Sequence, residues 1–176
     1  GEAGAPALPK FEYSVALPWN AELQGLTLLK VRTVELDGNF RVAPMTAPRI
    51  ISDRETEENP FQIDPLIYGR DAFYPGYYQE EPNTWDLVGQ HCATFVLHPL
   101  QYNPVTGKLM LATEIEVQVI WGEAAEPPER TTFNLTETGR AYYDKMLKKR
   151  TLNPDAVDIP LFAGSGSRAL PAGQYE

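Results

Sequence analysis

Residues 99–121 read PLQYNPVTGKLMLATEIEVQVIW, and this stretch decides the fold class. Its centre, Asn103-Pro104-Val105-Thr106-Gly107, is a tight-turn sequence: Pro104 presets φ and Gly107 is free to take positive φ. Downstream the side chains alternate. Ile115, Val117 and Val119 fall on one face, and Glu114, Glu116, Gln118 and Ile120 on the other. That is a half-buried strand with one mostly wet face. The turn and its flanks predict a long hairpin. Immediately upstream, Cys92 to Leu97 (CATFVL) is a compact apolar strand.

Working outward, Phe11 to Leu17 (FEYSVAL) alternates loosely and is stopped by Pro18. Gly25 to Leu36 is a longer strand rich in β-branched residues. Asp37-Gly38 is a two-residue turn signal, which predicts a return strand over Asn39 to Val42. Residues 1–10 read as an extended lead-in and 122–130 as a polar linker. One helix is predicted, over Thr136 to Arg150. Thr136 is its N-cap, Tyr142, Tyr143, Met146 and Leu147 form an apolar stripe, and Lys145, Lys148, Lys149 and Arg150 crowd the end where the dipole favours cations. Sixteen prolines and 13 glycines argue against a helical bundle. The fold class expected is all-β: an antiparallel β-sandwich, jelly-roll-like, with one C-terminal helix and a flexible tail. Residues 1–150 form the domain and 151–176 a linker toward a further domain.

Composition narrows the function. Hydrophobic residues make up 43% of the 176, enough for a core, and no apolar run is long enough to span a bilayer. With 24 acidic against 15 basic residues the net charge is −9, which repels a phosphate backbone and argues against nucleic-acid binding. The opening GEAGAPALPK has no apolar signal region, so for an exported protein the signal lies outside this sequence. Cys92 is the single cysteine, which excludes an intrachain disulfide and a cysteine-based zinc site.

Enzymatic constellations are missing from the pattern. His91 and Cys92 are adjacent, and neighbours on a strand point to opposite faces. His98 shares the face of Cys92 but lies roughly 20 Å along an extended strand. Cys92 reads as a buried, inert thiol. The two histidines and scattered carboxylates have no metal-ligand spacing, the acidic run Glu55, Glu57, Glu58 reads as solvated, and there is no phosphate loop. The segment is read as non-enzymatic, with no cofactor and no metal.

Residues 44–90 differ from the rest. They carry six prolines, and aromatics gather in the second half: Tyr68, Phe73, Tyr74, Tyr77, Tyr78 and Trp85. One reading is a solvated excursion whose aromatics pin it to the sheet; the other is a functional loop.

Two stretches carry a resemblance. Pro65-Leu66-Ile67-Tyr68-Gly69 with Phe73-Tyr74-Pro75-Gly76, and Pro99-Leu100-Gln101-Tyr102-Asn103-Pro104-Val105-Thr106-Gly107-Lys108-Leu109 running into Thr113-Glu114-Ile115, resemble the N-terminal propeptide of the gingipain family of C25-type cysteine peptidases. Gly4 to Pro9 and Val15 to Pro18 are similar too. The resemblance implies a β-sandwich prodomain of a secreted or cell-surface bacterial peptidase. It would cover the active-site cleft of the catalytic domain of the same precursor, assist its folding and hold it latent. Residues 66–80 would then be a protruding inhibitory loop formed by Arg70, Phe73, Tyr74, Pro75, Gly76 and Tyr77. Arg70 is favoured over Tyr77 for the specificity pocket, against a plain surface ion pair of Arg70 with Asp71 or a nearby Glu. Arg168, in an exposed small-residue linker, is the expected maturation cut, with Lys149 and Arg150 as second choices. The chain resembles the family's propeptide from an interior point, which predicts an open sheet edge beside residues 11–17. The alternative is a carbohydrate-binding or adhesion module of a bacterial surface protein, with Tyr74, Tyr77, Tyr78 and Trp85 stacking on sugars.

Overall fold

The computed structural model describes residues 2–46, 62–126 and 132–160. Six strands, β1 (Phe11–Leu17), β2 (Ala21–Leu36), β3 (Asn83–Leu87), β4 (Gln90–Leu97), β5 (Leu100–Asn103) and β6 (Lys108–Glu123), make two three-stranded sheets in the orders β1-β4-β3 and β2-β6-β5. A one-turn helix α1 (Pro65–Tyr68), a long helix α2 (Glu137–Arg150) and a 3-10 turn (Pro154–Ala156) complete the elements. The described chain is mostly strand with one substantial helix, as the alternation and the proline content predict.

The expected hairpin is β5-β6, paired antiparallel from Leu100 opposite Leu111 to Asn103 opposite Lys108. Its turn closes on one side chain. The Asn103 carboxamide oxygen accepts from the N–H of Val105 (3.0 Å) and Thr106 (3.2 Å), while the N–H of Gly107 donates to the Asn103 carbonyl at 2.9 Å. Gly107 has φ +68°, and a β-carbon there would run into the Asn39 carboxamide. The backbone angle is what requires glycine; the Asn39 carboxamide could swing aside, with the Phe40 carbonyl the nearest backbone atom at 3.2 Å. On the wet face of β6, Glu114 pairs with Lys30 (2.6 Å) and Arg32 (3.0 Å) of β2.

Contacts divide the chain into two compact units. The first comprises Gly1–Tyr13, Gln24–Asn83 and Thr94–Ile120; the second comprises Ser14–Leu23, Thr84–Ala93 and Trp121–Glu176.

In the first unit the lead-in is anchored by the backbone. Gly4, Ala5 and Pro6 are buried. The Gly4 N–H donates to Met45, that of Met45 to Ala5, and that of Ala7 to Ala43, at 2.7–2.9 Å. The predicted return strand over 39–42 does not form. After Gly38 the Phe40 N–H donates to the Gly107 carbonyl at 2.8 Å, which carries the chain to the hairpin turn and on to its pairing with residues 5–7. A distant acceptor wins over the adjacent strand.

In the second unit Val88, Cys92, Leu147 and Ile159 form a buried core, with Trp85, Leu87, Leu135, Tyr143, Met146 and Val157 packed around it. Val88 has φ +48° in the two-residue turn between β3 and β4. A β-branched residue is strained there, and its burial in this core is the compensation. Helix α2 begins as predicted: the Thr136 hydroxyl accepts from the Gly139 N–H at 3.1 Å. Leu147, Tyr143 and Met146 face the core. Tyr142, assigned to the same stripe, instead is 64% exposed and meets Tyr143 edge-on at 5.4 Å. Beyond the helix, residues 151–153 lie along β1. Thr151 forms a parallel bridge with Ser14, the Leu152 N–H donates to the Ser14 carbonyl (2.9 Å), and the Asn153 carboxamide satisfies both the N–H and the C=O of Ala16 at 2.8 Å. The β1 edge expected to be open is covered at residues 14–16. Thr151 and Ile159, placed in the linker by sequence, are buried.

Candidate functional site

The segment singled out by sequence, residues 66–80, lies in the first unit, and with the four residues before it (62–65) it has two halves of different character. The first half is built locally. The Asp64 carboxylate accepts from the Leu66 N–H at 2.8 Å, Pro65 opens the single turn of α1, and the Tyr68 hydroxyl donates to the Val42 carbonyl at 2.8 Å. Burial raises the Tyr68 phenol above its usual pKa, with a smaller contribution from Tyr102. The Arg70 N–H closes back on Ile67 at 3.2 Å. The half-buried ring of Tyr68 fixes the turn, while Leu66, 83% exposed, and Arg70 point outward. Among the described residues the Arg70 guanidinium has no carboxylate partner. The surface pair anticipated with Asp71 does not form; Asp71 accepts from the Asn103 amide at 2.8 Å, and Glu55, Glu57 and Glu58 lie outside the described residues.

The second half is held by a neighbouring strand. Tyr74 and Tyr102 exchange both backbone hydrogen bonds at 2.9 Å. The Tyr74–Pro75 peptide is cis and Gly76 has φ +84°. The Gln101 side chain grips the next two residues: its oxygen accepts from the Gly76 N–H at 2.8 Å and its NH2 donates to the Tyr77 carbonyl at 2.8 Å. The His98 N–H donates to Tyr78, the Glu80 N–H to Val96, and the Gln79 amide to the Leu26 carbonyl, at 2.7–3.0 Å. Residues 74–80 therefore lie along 96–102 and do not project. The expectation of one protruding finger over 66–80 is corrected in this half: backbone pairing with β4 and β5 draws it onto the sheet.

Electrostatics reinforce the hold. Glu80 is reached by the His98 ring at 2.8 Å and by Lys10 at 3.4 Å. Burial alone would raise the Glu80 carboxyl, but these two contacts outweigh it and the group sits below the usual carboxylate range. The Tyr77 ring meets His98 edge-on, centroids 5.1 Å apart, and stays 48% exposed. Tyr74, raised chiefly by burial, and Phe73 are half-buried. Tyr78 and Trp85 are half-buried too, and Trp85 packs on the core of the second unit, so this set is no open stacking platform for a sugar.

Three further residues matter here that were not assigned a role from sequence: Gln101, Tyr102 and Asn103. All are at most 6% exposed, and all reach this region. The Tyr102 hydroxyl donates to Phe40 at 3.0 Å. A signal was present, since these residues lie inside the most specific stretch of the resemblance; their bonding partners, 24 to 62 residues away, were not.

The other candidates take structural positions. Cys92 is fully buried, and burial first, with the Asp86 charge second, pushes its thiol up to about 12. The His91 ring bonds Asp86 at 2.9 Å. Lys149 and Arg150 end α2, directly before the bridged Thr151. Arg168 and the Glu55, Glu57, Glu58 run lie outside the described residues. No helix among those described is long and apolar enough to cross a membrane.

Comparisons with known proteins converge on one family. The sequence profile of the family Propeptide_C25 matches residues 1–143. Gingipain R2 of Porphyromonas gingivalis, in two strains, is 29% identical over 160 residues, which is 89% of this chain and 20% of the relative, so the chain spans a fifth of that protein's length. Among solved structures, the complex of the pro- and mature domains of RgpB from Porphyromonas gingivalis aligns with TM-score 0.60 and 26% identity, over 88% of this chain and 75% of that one. A structure addressing the zymogenic latency of gingipain K from the same organism aligns with TM-score 0.57 over 70% and 69%; at 22% identity it speaks for the fold. With a family profile covering four-fifths of its residues and a fold shared with gingipain prodomains, the chain belongs to the C25 peptidase propeptide family.

Proposed function

We propose that this chain is the latency-maintaining propeptide of an exported bacterial cysteine peptidase. It covers the active-site cleft of the peptidase domain of its own precursor and helps that domain fold. Covalent attachment makes the effective concentration high, so modest contacts suffice. The observation that carries this reading is the family match over residues 1–143, joined to a fold shared with the RgpB prodomain in complex with its mature domain.

Within that reading, Arg70 is the side chain that enters the specificity pocket. It is exposed, has no carboxylate partner among the described residues, and stands on a turn fixed by Asp64, Pro65 and Tyr68. Tyr77 is the second choice, because its carbonyl is held by Gln101 and its ring by His98. Phe73, Tyr74, Pro75 and Gly76 shape the segment between them. Arg168 remains the proposed maturation cut, and the N-terminal sequence of the mature peptidase tests it.

The direct experiment adds the chain to the peptidase domain of the same precursor. Inhibition at micromolar concentration is expected, and none would contradict the reading. Arg70→Ala and Tyr77→Ala, measured separately, identify the anchor.

A further inference from the structure

The β5 strand is short, and its buried positions are unusual. Gln101 and Asn103, 3% and 6% exposed, alternate along it and so share one face. A buried amide is costly unless its hydrogen bonds are made; the Asn103 oxygen closes the hairpin turn on Val105 and Thr106, and the remaining short bonds of the two amides go to residues 71–77. Asn103 donates to the Asp71 carboxylate at 2.8 Å, next to Arg70. Gln101 binds the Gly76 N–H and the Tyr77 carbonyl, both at 2.8 Å. Residues 71–77 are thereby slung between two side-chain clamps, with the backbone pair of Tyr74 and Tyr102 at the centre.

We infer that Gln101 and Asn103 are positioning residues for inhibition. They touch no partner themselves. They hold the carboxylate beside Arg70 and the turn at Gly76 in one arrangement before docking. A binding segment that spends only part of its time in the competent shape loses affinity by that fraction, so removing a clamp weakens and slows binding without removing any contact to the partner. This rests on the propeptide reading above. A purely architectural role would instead lower stability and leave inhibition by the folded protein unchanged.

The experiment separates these. The chain and three variants are titrated against the peptidase domain of the same precursor, with thermal midpoints and the exchange rate of the Gly76 amide recorded. Asp71→Ala removes one clamp from an exposed position but leaves the Asn103 NH2 without that partner, so its inhibition is read on protein shown by the thermal midpoint to be folded. Asp71→Asn keeps a carbonyl acceptor for Asn103. Gln101→Met keeps the length and removes both hydrogen-bonding atoms. We expect Asp71→Ala and Gln101→Met each to weaken inhibition about tenfold, mainly through slower association. Asp71→Asn is expected within about twofold of the original chain, and Gly76 exchange should accelerate in Gln101→Met. Undiminished inhibition by both Asp71→Ala and Gln101→Met, with Gly76 exchange accelerated, overturns the positioning role and leaves the propeptide reading standing. Failure of the unaltered chain to inhibit overturns both.

Discussion

Residues 62–71 and 74–80 are two halves of one connection, yet they are held by opposite means. The first half builds its turn from its own bonds, is tied to its surroundings through single contacts at Gly4, Val42 and Asn103, and turns Leu66 and Arg70 outward. The second half gives its backbone to the backbone of residues 96–102 and to the Gln101 side chain, and its own side chains to His98 and Leu26. The difference teaches a division of labour. A segment that must present one side chain needs a rigid support as well as an exposed tip, and here the two tasks fall to consecutive pieces of chain. The aromatic and proline-rich sequence that reads as a single loop is a short display turn followed by its footing.

The sharpest way to break that comparison is Arg70→Ala. If the first half presents and the second supports, this change weakens inhibition by about a hundredfold, the size of an interface hot spot. The thermal midpoint stays put, since the side chain is exposed and makes no ion pair among the described residues. Inhibition assays alongside thermal melts check it, and a shifted midpoint with intact inhibition would invert the assignment. Asn103→Ala attacks the footing and should do the converse in stability. It releases the Asp71 contact and two N–H groups of the hairpin turn, and unfolding in urea should register a loss of about 2–3 kcal/mol. Gly76→Ala comes next. At φ +84°, with a β-carbon 3.3 Å from the Phe73 carbonyl, it is expected to cost about 1–2 kcal/mol by the same measurement.

The smallest effect is acidic. The folded pKa of Glu80 is lower than that of the unfolded chain, so its contribution is complete above the ordinary carboxylate value of 4.5 and is lost as pH falls through the lower folded value. Glu80→Gln should therefore flatten the acid limb of the stability curve slightly and leave stability differences unchanged with pH from 6 to 8 as far as this carboxyl is concerned. Its partial exposure keeps the effect small.

The elements legible in the sequence are those whose cause is local. The β5-β6 hairpin follows from alternation and from a turn that closes on Asn103 and Gly107. Strand β1 matches its pattern from Phe11 to Leu17, and α2 begins at the Thr136 cap. What was not legible depends on distant partners. Asp37-Gly38 predicts a hairpin on local grounds, but Phe40 finds Gly107 and residues 43–45 find 5–7. The β1 edge is covered by Thr151 and Asn153, which alternation does not place there. Within the site, exposed Arg70 could be nominated from residue type and motif. The clamps could not, because polar residues in a strand ordinarily signal a wet face, whereas Gln101 and Asn103 are buried by the loop they bind.

Hydrogen exchange of residues 62–80, in the free chain and bound to the peptidase domain of its precursor, tests the division of labour most directly. The account predicts that amides of residues 74–80 bonded to 96–102 are slow in the free chain and change little on binding, while those of residues 66–73 gain protection in the complex. New protection confined to other parts of the chain, with residues 66–73 exchanging as freely as before, would contradict it.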